Sequence, residues 1–281
     1  MKAKRLVLVV LAVFVVALLS CAVSAAEHKI GHLLRGNITA EEAQKIAETF
    51  INNGKIKVFR SGEKFPTTRV FYDSLTSLIM ALNAGDVYEI SLPEPVAEYV
   101  MNANDGFEIV SVVRMMPASL AFGFRKDDDP SLRNKFNEAL MSMKADGTLA
   151  ILVNKYIAEA GIDDPEPVQF EKYGNIDTTI RLAVTGDLPP IDFIAPDGTP
   201  AGFSTAVIAE IAKRLKINVE LVNIDSGARV ASLASKRSDV VFWFMSYKDV
   251  DVQLDVPEGV VLSEPYYTWN EDLLLKLKDK K

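Results

Sequence analysis

Short apolar runs separated by amphipathic stretches repeat along nearly the whole chain, and this alternation limits the fold more than any other feature. "TIRLAVTG" (179–186) reads as a strand and "PDGT" (196–199) as a tight turn. "FSTAVIAEIAKRLKI" (203–217) then places Phe203, Val207, Ile208, Ile211 and Leu215 on one helical face, a stripe read as core. "NVELVNI" (218–224), a helix from Gly227 to about Lys236, and "DVVFWF" (239–244) continue the series. Strand–helix–strand order of this kind predicts an α/β protein with mostly parallel sheets.

An equivalent run precedes it. "KIGHLL" (29–34), "KIKVF" (55–59), "TRVFYD" (68–73), "VYEISL" (87–92), "FEIVSVV" (107–113) and "SLAFGF" (119–124) read as strands. "GNITAEEAQKIAETF" turns into a helix with Thr39 and Glu42 spaced as a capping box. "SLTSLIMALNAG" is a helix closed by Gly85, and Pro93 and Pro95 punctuate entry into "VAEYVMN". In "DDDPSLRNKFNEALMSMKADG", Asp129 is the expected N-cap, Pro130 the first helical residue and Gly147 the terminator. A second helix starts near Thr148. Residues 161–178 are acidic, carry Pro and Gly without an apolar period, and read as a linker.

Residues 1–26 have the order of a secretory signal peptide: Lys2, Lys4 and Arg5, a long apolar run, then "CAVSAA". Cleavage after Ala26 predicts a periplasmic protein. Alternatively, "LLSC" is a lipobox and Cys21 a lipidated first residue at the outer face of the cytoplasmic membrane. Cys21 is the single cysteine, which excludes a disulfide framework and a thiolate metal cage. Loss of the three basic signal residues takes the net charge from −7 to −10, against nucleic acid or an anionic membrane surface as partner. The two histidines, His28 and His32, lie together at the mature N-terminus, so no His-based triad or metal site is expected elsewhere, and no cofactor is expected.

Several phrases carry a family resemblance. "IRLAVTGDLPPIDF", "DGTPAGFSTAVIAEIAKRL", "ARVASLASKRSDVVF" and "SEPYY" resemble the N-terminal half of family 3 extracellular solute-binding proteins, the receptors of polar amino-acid ABC transporters. "YDSLTSLIMALNAGDV", "PEPVAEYV", "ASLAFGFRK" and "NEALMSMKADGTLAILVNKYI" resemble that family's C-terminal half. The halves stand in inverted order, which reads as a circular permutation, with two half-domains of different receptors as the rival. The resemblance implies a periplasmic-binding-protein type II fold: lobe 2 over 29–118, a hinge strand at 119–126, lobe 1 over 127–268 and a second hinge strand at 269–281. It further implies a monomeric, non-enzymatic receptor that closes on a small solute and delivers it to an ABC permease, touching the membrane only through a lipid anchor.

The specificity positions depart from the family. The resemblance implies an Arg after the strand ending near 242 and an acidic residue two before the Pro of "EPVA"; here "MSYKDVDV" lacks the Arg and Pro93 holds the acidic position. Substitute anchors are Arg229, matched to the carboxylate-binding Arg of acidic-amino-acid binders, and Lys248; a solvated charge is the alternative for Arg229 and the favoured reading of Lys248. Trp243 and Phe244 form either a stacking floor for an aromatic or heterocyclic solute or a plug in the cleft. Ser246, Asp187, Asp192, Phe193, Asn37, Thr39, Pro93 and Glu94 complete the candidate ligand contacts, with Phe193 alternatively core and Thr39 alternatively only a cap. A dehydratase-like enzyme using Glu94, Asp187 or Asp192, or a sensory module without transport, are the other classes this fold admits.

Overall fold

The computed structural model describes residues 28–34, 39–54, 57–59, 67–160, 167–174, 179–195, 197–247 and 255–278. In chain order they form β1 (His28–Leu33), α1 (Ala40–Asn52), β2 (Lys57–Phe59), β3 (Thr67–Tyr72), α2 (Leu75–Ala84), β4 (Glu89–Pro93), α3 (Glu94–Ala103) and β5 (Phe107–Arg125). Then come α4 (Ser131–Ala145), α5 (Thr148–Val153), β6 (Thr179–Val184), β7 (Asp187–Leu188), β8 (Asp192–Ile194) and β9 (Pro200–Ala201). The chain continues through α6 (Phe203–Leu215), β10 (Asn218–Asn223), α7 (Arg229–Ala234), β11 (Val240–Tyr247), β12 (Val260–Leu262) and β13 (Tyr267–Leu277). Residues 1–26, read above as a signal segment, lie outside the described residues, Cys21 among them. No described helix is long and apolar enough to cross a membrane.

The strands make two α/β lobes that share crossing strands. In one lobe β10, β6 and β11 run parallel; in the other β3, β1 and β4 do. Between them β5 and β13 run antiparallel to their neighbours, giving the order β10-β6-β11-β5-β13-β4-β1-β3. The expected strands at 107–113 and 119–124 are in fact one strand, β5, of 19 residues. Pro117 suggests a break because it cannot donate to a ladder. Here it falls where the pairing with β13 skips register, between Arg114 opposite Glu271 and Ala118 opposite Trp269, so its missing N–H is tolerated. β13 pairs along β5 from Phe107 to Leu120, while β2 pairs with the N-terminal part of β5 and β11 and β12 with its C-terminal part.

Local signals account for the helix ends. Thr39 and Glu42 form the expected capping box on α1, and Ser74 with Ser77 forms a second on α2. Gly85 closes α2 at φ +80°, where a Cβ would strain the backbone. The expected N-cap is corrected: α4 begins at Ser131 with Pro130 in the cap position, and Asp129 stands one residue before it, its carboxylate accepting the N–H of Ser131. Phe203, Val207, Ile208 and Ile211 of the α6 stripe are fully buried, as read, with Leu215 partly buried beside them. An aromatic cluster joins this lobe to the crossing strands: Tyr266 stacks on Phe122 at 4.7 Å and tilts against Phe203 at 5.9 Å. The Tyr266 hydroxyl donates to the Phe242 carbonyl at 3.0 Å, satisfying the one polar atom the buried ring brings in.

Part of the expected linker is docked. Val168 is buried and its N–H donates to the Pro200 carbonyl, while Tyr173 exchanges two hydrogen bonds with the Asn218 side chain. Its apolar anchors, Val168 and the partly buried Phe170, are two apart, too few to show as a period.

At "ADGTLA", Gly147 at φ +82° reverses the chain between α4 and α5. Asp146 accepts the Thr148 N–H at 3.0 Å, and Arg214 of α6 reaches Asp146, Glu210, Ser142 and Thr148, tying three helices together. The hydrogen bonds from Thr148, with those of Arg214, lower the Asp146 carboxyl from 3.8 to about 2. A carboxyl depressed by folding contributes stability above its unfolded value and loses it as pH falls through the folded one. Asp146→Asn should therefore flatten the acid loss of stability between 3.8 and about 2, measured as thermal midpoint against pH. A parallel acid limb in parent and variant would remove Asp146 from that role.

Candidate functional site

The two lobes face each other across the carboxyl ends of their parallel strands, where open α/β sheets place their ligands. A cavity of about 710 Å³ lies there. One wall comes from the ends of β1 and β3 and the start of α2: Leu33, Leu34, Asp73, Ser74 and Leu75. The other comes from the residues after β6 and β10, together with Arg229 and Trp243. Carboxylates stand on both walls: Asp73 on one, Asp187 and Asp225 on the other. Asp187 accepts the Ser226 hydroxyl at 2.9 Å, which fixes its direction at the cavity edge.

Arg229 is the one cationic side chain among the described lining residues, and four hydrogen bonds engage its guanidinium. It is 3% exposed. Its Nη1 and Nη2 donate to Asp255 Oδ2 and Oδ1 at 3.1 and 2.7 Å, a bidentate pair with a carboxylate that is 0% exposed. Nη1 also donates to the Trp243 carbonyl at 2.9 Å and Nε to the Ser226 carbonyl at 3.1 Å. The guanidinium lies 4.2 Å from the Trp243 ring centroid and 5.0 Å from that of Phe244. Asp255 in turn accepts the Met245 N–H at 2.7 Å. This corrects both readings of Arg229: it is neither a solvated charge nor an open anchor for a solute carboxylate, because Asp255 already holds its fork.

Trp243 does line the cavity, 5% exposed, with Nε1 donating to Asp192 Oδ2 at 3.2 Å. Asp192 is wholly buried and also accepts the N–H groups of Thr185 and Gly186 and the Thr185 hydroxyl. Burial pushes its carboxyl upward, opposed by those hydrogen bonds. Asp192 therefore acts behind the wall, bracing Trp243 against the loop after β6, and is not a ligand contact. Phe244 is a second correction. The register shift between Val241 and Phe244 interrupts the alternation of β11, and Phe244 joins Val241 in a core cluster with Ala183, Ile224, Leu233 and Val260. Its ring fills the space over Gly123, where an added Cβ would meet it at 2.3 Å.

A smaller cavity, about 300 Å³, adjoins the first and shares Leu75 and Asp187 with it. Phe193 and Pro189 line it from one lobe, and Ile79, Tyr99 and Phe107 from the other. Phe193 is half-buried there, opposite Asp187 in the β7–β8 pair.

The remaining candidates sit elsewhere. Pro93 is buried opposite Asp272, and Glu94 opens α3; neither lines the two described cavities. Glu94 is raised by burial first and by Glu98 and Glu271 second. Ser246 is half-buried on β11 opposite Ser119, and Thr39 is occupied as the cap of α1. Asn37 and Lys248 lie outside the described residues. Sequence reasoning missed Asp73, Asp225 and Asp255. Asp73 and Asp225 directly follow or closely trail strands, a position that marks ligand-facing loops. Asp255 stands 26 residues from its partner and gives no local signal.

Residues 180–281, just over a third of the chain, match the family model of bacterial extracellular solute-binding proteins, family 3. No curated protein matches the chain. The ligand-binding component of an ABC-type import system from Staphylococcus aureus, solved with zinc bound, is similar at TM-score 0.44 and 13% identity, over 89% of this chain and 65% of that one. AgaA from A. tumefaciens R10, in complex with agropinic acid, is similar at TM-score 0.41 and 13% identity, over 83% and 65%. CbnR, a LysR family transcriptional regulator, is similar at TM-score 0.39 and 10% identity, over 93% and 68%. The chain thus spans just under two thirds of the first two structures.

Proposed function

We propose that this relative of the family 3 bacterial extracellular solute-binding proteins, which carries their sequence over residues 180–281, is an extracytoplasmic receptor that closes on a small solute. The observation that carries the reading is the cavity of about 710 Å³ between the lobes. Its size is that of a small-molecule site, and its walls come from both halves of the chain. A solute touching both walls stabilises the closed arrangement by the contacts it makes only there. β5 and β13, which run from one lobe to the other, are where such motion would bend. Delivery to an ABC permease, export by residues 1–26, a lipid on Cys21 and a monomeric state complete the reading as expectations from the family and the N-terminal sequence.

The inverted order of the halves in the sequence reads as a circular permutation. The join then lies within one lobe, through residues 161–178. As for the solute, Trp243 favours an aromatic or apolar-faced body, whereas the Arg229–Asp255 pair speaks against a solute held by its carboxylate at Arg229.

Native mass spectrometry of the full chain, purified without refolding, should recover a bound small molecule, and stripping then restoring it should shift Trp243 emission. The other tryptophan, Trp269, lies on β13, so Trp269→Phe isolates the signal. A stripped protein whose Trp243 emission ignores the recovered molecule would remove the cavity as its site.

A further inference from the structure

We infer that Asp255 is a built-in counter-anion that closes the cavity to carboxylate solutes and, with Asp73, Asp187 and Asp225, selects positively charged ones. The inference rests on the receptor reading above and names its solute class. A guanidinium on a cavity wall would ordinarily attract an anionic solute. Here both arms of the Arg229 fork are met by a carboxylate that is itself 0% exposed and anchored by the Met245 N–H. A solute carboxylate would have to displace that pair and leave Asp255 buried and unmatched, which buried ion pairs strongly resist.

With Arg229 neutralised, the described lining holds three carboxylates and no free cation. Two helical N-termini also reach the cavity, at α2 and at the turn Ser226–Ala228. Each carries about half a positive charge at most, so they offset roughly one carboxylate and leave the wall negative. The carboxylates come from different lobes, Asp73 from one and Asp187 and Asp225 from the other. A solute long enough to span the cavity from Asp73 to Asp187 or Asp225 would touch both lobes, which is the condition for favouring closure. Trp243, held in place by Asp192 and Arg229, adds a wall against which the alkyl or aromatic body of such a solute can pack. The chemistry that fits is a small amine, guanidine or quaternary ammonium compound without a carboxylate partner for Arg229.

The test is calorimetric titration of the full chain, stripped of bound solute, with two probes of matched length: 1,5-diaminopentane and glutarate. The diamine should bind to the parent and glutarate should not. Asp187→Asn and Asp225→Asn, on half-buried and exposed positions, should each weaken the diamine about tenfold, and added salt should weaken it further. Asp255→Asn keeps the shape of the pair while freeing part of the Arg229 fork, and should gain glutarate binding. Parent protein that binds glutarate as well as diamine overturns the inference; so does a diamine affinity indifferent to both Asn variants. If Asp255→Asn does not fold, those two variants still decide the matter. An anionic molecule recovered from the native protein overturns the charge class and leaves the receptor reading intact. Absence of any recovered molecule, with no binding of either probe, overturns the receptor reading itself.

Discussion

Asp255→Ala should destabilise the protein by about 3–5 kcal/mol, the cost of leaving a buried guanidinium without its counter-charge. Arg229 is 3% exposed and its fork lies on Asp255, so water cannot simply take the place of the lost carboxylate. The Met245 N–H loses its acceptor in the same step. The measurement is the denaturant midpoint at constant m, which separates a change in stability from a change in the unfolded chain. Removing both charges together, as Arg229→Met with Asp255→Leu, should recover at least half of the loss, because apolar replacements of a buried pair carry no desolvation cost. A single variant that loses less than about 1 kcal/mol would mean that the pair is not formed in solution.

Asp192→Ala should cost about 3 kcal/mol, since one side chain holds four donors: two backbone N–H groups, the Thr185 hydroxyl and the Trp243 indole. Asp192→Asn keeps an acceptor oxygen and should lose about half as much. The upward push of burial on this carboxyl means that folding favours its protonated form. The penalty on the charged form is present above the folded value and relieved as pH falls, so the parent should lose less at acid pH from Asp192 than from Asp146. Asp192→Ala should also shift Trp243 emission to the red, as the indole loses its partner and the loop after β6 loosens. An unchanged spectrum together with unchanged stability would show that the brace has no weight.

The resemblance and the structure meet on the scaffold and part at the site. The α6 stripe, the Thr39–Glu42 box, Gly85 and the chain reversal at Gly147 were legible because each is a local rule: helical spacing, a side chain reaching three residues on, a backbone angle that glycine takes freely. Asp187 and Trp243 were legible as cavity residues because they sit where parallel strands end. Phe244 shares that strand with Trp243, so position along the chain gives both the same place at the site; the register shift between Val241 and Phe244, seen only in the pairing with β5, puts Phe244 in the core. β5 was read as two strands because proline normally interrupts a ladder, and the register skip of β13 that accommodates Pro117 lies some 150 residues away.

Taken alone, the sequence determined the α/β class, the order of strands and helices, and the strand ends at which a solute site would form, because periodicity and capping act over a few residues. Only the tertiary structure decided the charge that site presents. Arg229 has a positive charge in any reading of the chain, yet Asp255, distant in sequence and local in space, cancels it, and Asp73 arrives from the opposite lobe. Electrostatic pairing depends on distance through space and on burial, and neither is written in the spacing of residues along the chain.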